Sequence, residues 1–443
     1  MRSTGIIFFI LLLIVSCDTE RSFSVPEENY FVKFYGEEGE QEGVDFVINP
    51  DGTIVMVGNT ERPGVLSQIY VVKVDANGHE LWNKKFGLPD KSDKVKDVEL
   101  HPDGRIVIVG ETEMAVGNKD VFLGILSQDG LLLDSIRPQV KTYDINFPPV
   151  GVDTDEVVSS VTIVSDGFIV SGASTLLTGG RIGTSATRDA MHLRFDNSLD
   201  WINDATGLWS SVSGQLISDD YAVRTIEVDP GKLYYVFGSS NYDNGDGTTD
   251  YDVWVFGLGS TGGKYAGPDG GVPLFIGDGN DNERLGSVEL VTDLTGSSYL
   301  LSGISTRTTG FSQTHIVQLT QAGSLGSISK RIEIKPTDIG TNAVGRTKSI
   351  GRINNTFLLL SNDLNQLNFG SSISLQRLSP DFSSNSKPAL IYGGEGDDFA
   401  GSVAELPNER ILLMGTMTVG QSSTIGQKKM VLMKLNSEGK LAE

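Results

Sequence analysis

A short apolar run closed by glycine and a small polar residue recurs along this chain, and it constrains the fold more than any other feature. The copies are Ile54–Thr60 (IVMVGNT), Ile106–Thr112 (IVIVGET), Phe168–Ser174 (FIVSGAS), Tyr234–Ser240 (YYVFGSS), Tyr299–Ser305 (YLLSGIS), Phe357–Asp363 (FLLLSND) and Ile411–Met417 (ILLMGTM). The marker glycines are Gly58, Gly110, Gly172, Gly238, Gly303 and Gly415, with Ser361 in the sixth copy, spaced 52, 62, 66, 65, 58 and 54 residues apart. Repetition at a near-constant period decides the architecture before any single residue does. A turn precedes each run, as in Pro50-Asp51-Gly52, Pro102-Asp103-Gly104 and Ser165-Asp166-Gly167, and such pairs tolerate the positive φ of hairpin turns. A strand-like segment lies before the turn, and a polar loop with a third apolar segment follows the run. Each unit therefore reads as a meander of about four antiparallel strands.

These runs are apolar at nearly every position rather than at alternate ones, which predicts burial on both faces. Seven such units in 443 residues, with no helical periodicity between them, predict an all-β, single seven-bladed β-propeller of four-stranded antiparallel blades. Tyr30–Gly36 (YFVKFYG) is similar to Leu81–Gly87 (LWNKKFG), the strand after the first unit, whereas the last unit ends without that strand. Pairing of the N-terminal strand with the last blade is therefore expected to close the ring and hide both sheet edges.

The first 29 residues read differently. Arg2 precedes ten consecutive apolar residues, Ile6 to Val15, too few to span a bilayer and suited to a signal-peptide core. Ile14-Val15-Ser16-Cys17 fits a loose bacterial lipobox and contains the chain's one cysteine. The expected organisation is a lipoprotein signal peptide over 1–16, an acylated Cys17 and polar tether over 17–29, and the propeller over 30–443. Two or more acyl chains would hold Cys17 on a membrane. The address read from this is lipid-anchored in the outer membrane, with the periplasmic or cell-surface side left open.

The pattern D-G-x-I-V-x-V-G-x-T, a loop, then V-x-K-V-D-x-x-G-x-x-W resembles the repeats of seven-bladed propeller lipoproteins of Bacteroidota. It covers about residues 30–130 and 389–443. Asp75 to Trp82 is also similar to the tryptophan-docking corner of quinoprotein-like propellers, but only the first unit carries it, so no quinone cofactor is implied.

The formal charge is −22, from 57 acidic and 35 basic residues, which disfavours nucleic acid as a partner. His79, His101, His192 and His315 fall in different units without metal-ligand spacing. No nucleophile elbow, phosphate loop or dinucleotide motif occurs. Asp219-Asp220 and Asp397-Asp398 read as structural or solvated pairs. Asn241–Asp252 (NYDNGDGTTDYD), with Asp243, Asp246, Asp250 and Asp252, is the better of two candidate calcium loops, the other being Asp278–Glu283. Trp201, Trp209, Tyr242, Tyr251 and Trp254 lie in or near the long loops of units three to five, where a contact surface is expected. With no catalytic motif, the expectation is a non-enzymatic scaffold presenting one face to a protein partner at the cell envelope. Its rivals are a glycan-binding or glycan-cleaving propeller and an accessory subunit of an outer-membrane transport or assembly complex.

Overall fold

The computed structural model describes residues 30–115, 117–137, 154–177, 181–182, 187–200, 202, 211–214, 218–242, 250–265, 274–277, 281–293, 296–307, 310, 312–321, 328–334, 342–344, 348, 350–353, 356–364, 370–379, 389–394, 396–420 and 426–441. Cys17, the signal segment and the tether lie outside them. Among the described residues the chain is nearly all strand, arranged as the seven-bladed propeller that the repeats predict. The inner strands, in blade order, are Glu40–Ile48, Ser92–Leu100, Glu156–Val164, Asp220–Asp229, Asp281–Asp293, the pair Asn342–Val344 and Ile350–Ile353, and Phe399–Leu406. Each is followed outward by antiparallel neighbours. In blade 4 these are Leu233–Ser240, Asp252–Gly259 and Leu274–Ile276.

Closure follows the expectation. Phe31–Tyr35 pairs antiparallel with Gln427–Leu435, with Phe31 opposite Lys434 and Tyr35 opposite Met430. The first strand of the ring thus becomes the outer strand of blade 7. Tyr35 anchors it further by donating its hydroxyl to the Gly78 carbonyl of blade 1 at 2.7 Å.

The all-apolar runs are explained by which core each residue enters. In blade 1, Ile54 and Met56 join the core shared with blade 7, whereas Val55 and Val57 join the core shared with blade 2. Tyr234 and Val236 of blade 4 face blade 3, and Tyr235 and Phe237 face blade 5. Seven apolar clusters result, one per blade interface. Alternation is present, but both faces of each sheet are buried, so neither parity can be polar.

The marker glycines have a steric cause. Every inner strand except that of blade 6 carries an irregularity at one level: between Gly43 and Asp45, Val95 and Asp97, Val158 and Ser160, Ala222 and Arg224, Leu285 and Ser287, and Ala400 and Val403. Beside it, a carbonyl is driven toward the neighbouring strand. A Cβ on Gly238 would lie 1.8 Å from the Tyr221 oxygen, and one on Gly110 2.1 Å from that of Lys94. Blade 6 has Ser361 there, and its inner strand is split, ending at Val344 and resuming at Ile350.

Candidate functional site

The inner strands all begin at one face of the ring. That face also carries the connections from second to third strand and from each outer strand to the next blade. A cluster of two guanidiniums, two phenols and two carboxylates gathers on it at blades 3 to 5. Arg188 immediately precedes the third strand of blade 3, Asp189–Asp196. Tyr221 is the second residue of the blade 4 inner strand, and Tyr251 precedes that blade's third strand. Arg284 is the fourth residue of the blade 5 inner strand.

Arg188 Nη2 pairs with Asp155 Oδ2 at 2.7 Å, and its Nη1 donates to the Tyr221 hydroxyl at 3.3 Å. Tyr251 donates its hydroxyl to Asp219 Oδ2, while Asp219 Oδ1 accepts the Arg188 amide at 3.0 Å. The two tyrosine rings lie 6.4 Å apart. The Arg284 guanidinium stacks 3.9 Å from the centroid of Tyr251. It is exposed and, among the described residues, makes no ion pair. Against a charge of −22, this mouth is locally balanced, two guanidiniums against Asp155 and Asp219.

These contacts set the proton affinities. Burial pushes the Tyr251 phenol up, and the Asp219 carboxylate that accepts its proton pushes it further, so Tyr251 stays a hydrogen-bond donor. Burial and Asp219 also raise Tyr221, but the Arg188 guanidinium opposes them by favouring the phenolate. For Arg188 itself burial works against the charge, and Asp155 and Tyr221 outweigh it.

The channel through the ring is charged rather than open to an apolar ligand. Asp45, Asp97, Glu99, Arg224, Glu289 and Lys348 converge there. Lys348 Nζ lies 2.8 Å from Asp45 Oδ2 and donates to the Val98 carbonyl at 2.6 Å; Arg224 Nη2 lies 2.6 Å from Glu99 Oε1. Asp45 and Asp97 are fully buried.

The sequence-derived candidates fare unevenly. Tyr251 stands in the cluster. Tyr242 is 36% exposed beside Phe275, at 6.2 Å between ring centroids. Trp254 is fully buried, with Phe256 4.2 Å away and Phe275 at 6.3 Å, so it packs the blade and presents no surface. Trp201, Trp209, Asp243 and Asp246 lie outside the described residues, as do the first three residues of Asp278–Glu283; Asp281 and Glu283 are buried and both accept the Ser305 hydroxyl. Asp250 and Asp252 flank Tyr251, with Asp252 buried at the start of its strand. The acidic pair Asp219-Asp220 divides its work: Asp220 is buried and accepts the Ser218 hydroxyl, while Asp219 serves the tyrosines. Sequence reasoning missed Arg188, Tyr221, Arg284 and Asp155. The one available signal was positional, since each stands at the rim end of a repeat unit.

No protein-family model matches the chain, and neither does any curated protein. Solved structures do. The polysaccharide lyase Uly1 superposes with a TM-score of 0.51 at 9% identity, covering 95% of this chain and 94% of its own. A PL25 ulvan lyase, described as a new family of polysaccharide lyase, gives 0.50 at 13% identity, over 90% and 95%. At these identities the likeness establishes the propeller fold. It also corrects the expectation that the chain is no enzyme. That expectation rested on an empty motif search, and lyases that use this propeller along its whole length show that such a search does not exclude catalysis.

Proposed function

We propose that this propeller binds an acidic polysaccharide across the rim of blades 3 to 5 and cleaves it by β-elimination. One observation carries the reading: two tyrosine hydroxyls and two guanidiniums meet at a single mouth. Elimination beside a uronate carboxylate needs three things. A cation must take up the charge that spreads onto the carboxylate, a base must remove the proton α to it, and an acid must protonate the departing glycosidic oxygen.

Arg284, exposed and without an ion pair among the described residues, is the group free to meet the carboxylate. Tyr221 takes the base role on its position, its hydroxyl accepting from Arg188 Nη1; burial and Asp219 raise the phenol overall, and Arg188 is the group that opposes them. Tyr251, held as a phenol by Asp219, is suited to the acid role. In the step, the C–H and glycosidic C–O bonds break and a C=C bond forms. Tyr221 gains the proton, and Tyr251 passes its own to the leaving oxygen. The two lyases of like fold act on polysaccharides by their names, which supports the substrate class.

The test is ultraviolet detection of an unsaturated uronate product from uronate polysaccharides. Tyr221→Phe and Tyr251→Phe should each lower kcat by about 100-fold or more, whereas Arg284→Ala should act on both kcat and KM. Full turnover by both tyrosine variants would overturn the assignment.

A further inference from the structure

Three blades around the ring from the tyrosine cluster, on the same face, a cavity of about 510 Å³ opens between blades 7 and 1. Its size lies in the range of small-molecule pockets. Four carboxylates line it, Glu40, Glu42, Glu61 and Asp397, against two ammoniums, Lys94 and Lys428. The lining is therefore acidic by two charges, whereas the cluster across the mouth balances two guanidiniums with two carboxylates. Phe399 gives it an aromatic wall, half-buried, with Lys428 Nζ 4.9 Å from the ring centroid. Apolar sugar faces stack on such rings, while their hydroxyls need the mixed acceptors and donors that the carboxylates and ammoniums of the lining supply.

A second observation points to a ligand independently. Ser67 also lines the cavity, is 4% exposed, and its Oγ has no hydrogen-bond partner among the described residues. A buried hydroxyl left unpaired is destabilising. The side chain is thus placed to bond something that enters from the cavity.

We infer that this cavity is a second saccharide site, selective for a neutral or amino sugar and rejecting a uronate. The inference rests on the glycan reading above and deepens it: the polymer would alternate acidic residues with uncharged or cationic ones, and both would be read on one face. Methyl glucoside, glucosamine and glucuronate, titrated by calorimetry into the folded Arg284→Ala chain, whose rim lacks the guanidinium that would meet a uronate, test it. The first two should bind, with glucuronate at least about tenfold weaker. Ser67→Ala and Phe399→Leu should each weaken binding by about tenfold, while Tyr251→Phe leaves it unchanged. On the polymer, the same two variants should raise KM and spare kcat. Equal binding of all three sugars, binding of none, or indifference to both cavity variants would overturn the site. Loss of elimination with retained, charge-selective sugar binding would instead remove the lyase reading and leave the cavity assignment standing.

Discussion

At the residue scale, the repeat glycines show how a pattern can be visible while its cause is not. The sequence displays Gly58, Gly110, Gly172, Gly238, Gly303 and Gly415 in register, yet nothing in it reveals the irregular inner strand that each must face. The reason is long-range, a neighbouring carbonyl occupying the Cβ position. Gly238→Ala would push a methyl to 1.8 Å from the Tyr221 oxygen. That contact is with backbone, so relief requires moving a strand, and a loss of about 1–3 kcal/mol or more is expected. Because Tyr221 is the displaced residue, elimination activity should fall along with stability. Gly394→Ala is the control: no atom lies within 4 Å of its Cβ, and an effect within about 0.5 kcal/mol is expected. Chemical denaturation of the two variants checks this, and equal midpoints would refute the steric account. The rim residues were less legible for a related reason. Arg188, Tyr221, Tyr251 and Arg284 come from three blades, and only the ring brings them together.

At the element scale the sequence was most informative. The doubly apolar strands, the turn pairs and the similarity of Tyr30–Gly36 to Leu81–Gly87 together implied both blade composition and ring closure. They sufficed because hydrogen-bond ladders and two-sided burial are local demands that each repeat must meet alone. Blade 6 marks the limit: Ser361 signalled a departure, but not that the inner strand would be split. The closing strand makes a direct prediction. It buries Phe31 and Tyr35, each 6% exposed, and covers the edge of Gln427–Leu435. At about 1.5–3 kcal/mol for each large apolar side chain, removal of residues 1–36 should cost several kcal/mol and leave an open edge prone to self-association. Tyr35→Phe removes only the bond to Gly78 and should cost about 0.5–1.5 kcal/mol. Denaturation midpoints and sedimentation would show both effects. A truncated chain that stays monomeric and equally stable would mean that closure does not depend on this strand.

At the scale of the whole molecule, the channel cluster ties distant blades together. Lys348 belongs to blade 6 and adopts φ +64°, a costly conformation for a residue with a Cβ. Its ammonium reaches Asp45 of blade 1 and the Val98 carbonyl of blade 2, while its own carbonyl accepts the Val403 amide of blade 7 at 3.1 Å. Burial works against its charge, but Asp45, Glu99 and Asp97 outweigh it and hold the ammonium charged. Lys348→Met would leave buried carboxylates with Arg224 as the remaining cation among the described residues, and such removals typically cost about 3–5 kcal/mol. The loss should depend on pH in a defined direction. Burial already raises Asp97 well above the usual carboxylate range, with Lys348 opposing. A carboxyl raised by folding holds a proton that the unfolded chain releases, so its contribution is kept at low pH and lost as pH rises through the folded pKa. The Lys348→Met protein should therefore regain stability on acidification from neutral pH toward the ordinary carboxylate range, more steeply than the parent. Lys348→Met/Asp45→Asn should recover much of the loss at neutral pH, because it removes the carboxylate nearest the lost ammonium. Denaturation of the parent and both variants across this range decides it. A single variant as stable as the parent, or a double variant no better than the single, would show that the ring is held by its seven apolar interfaces alone.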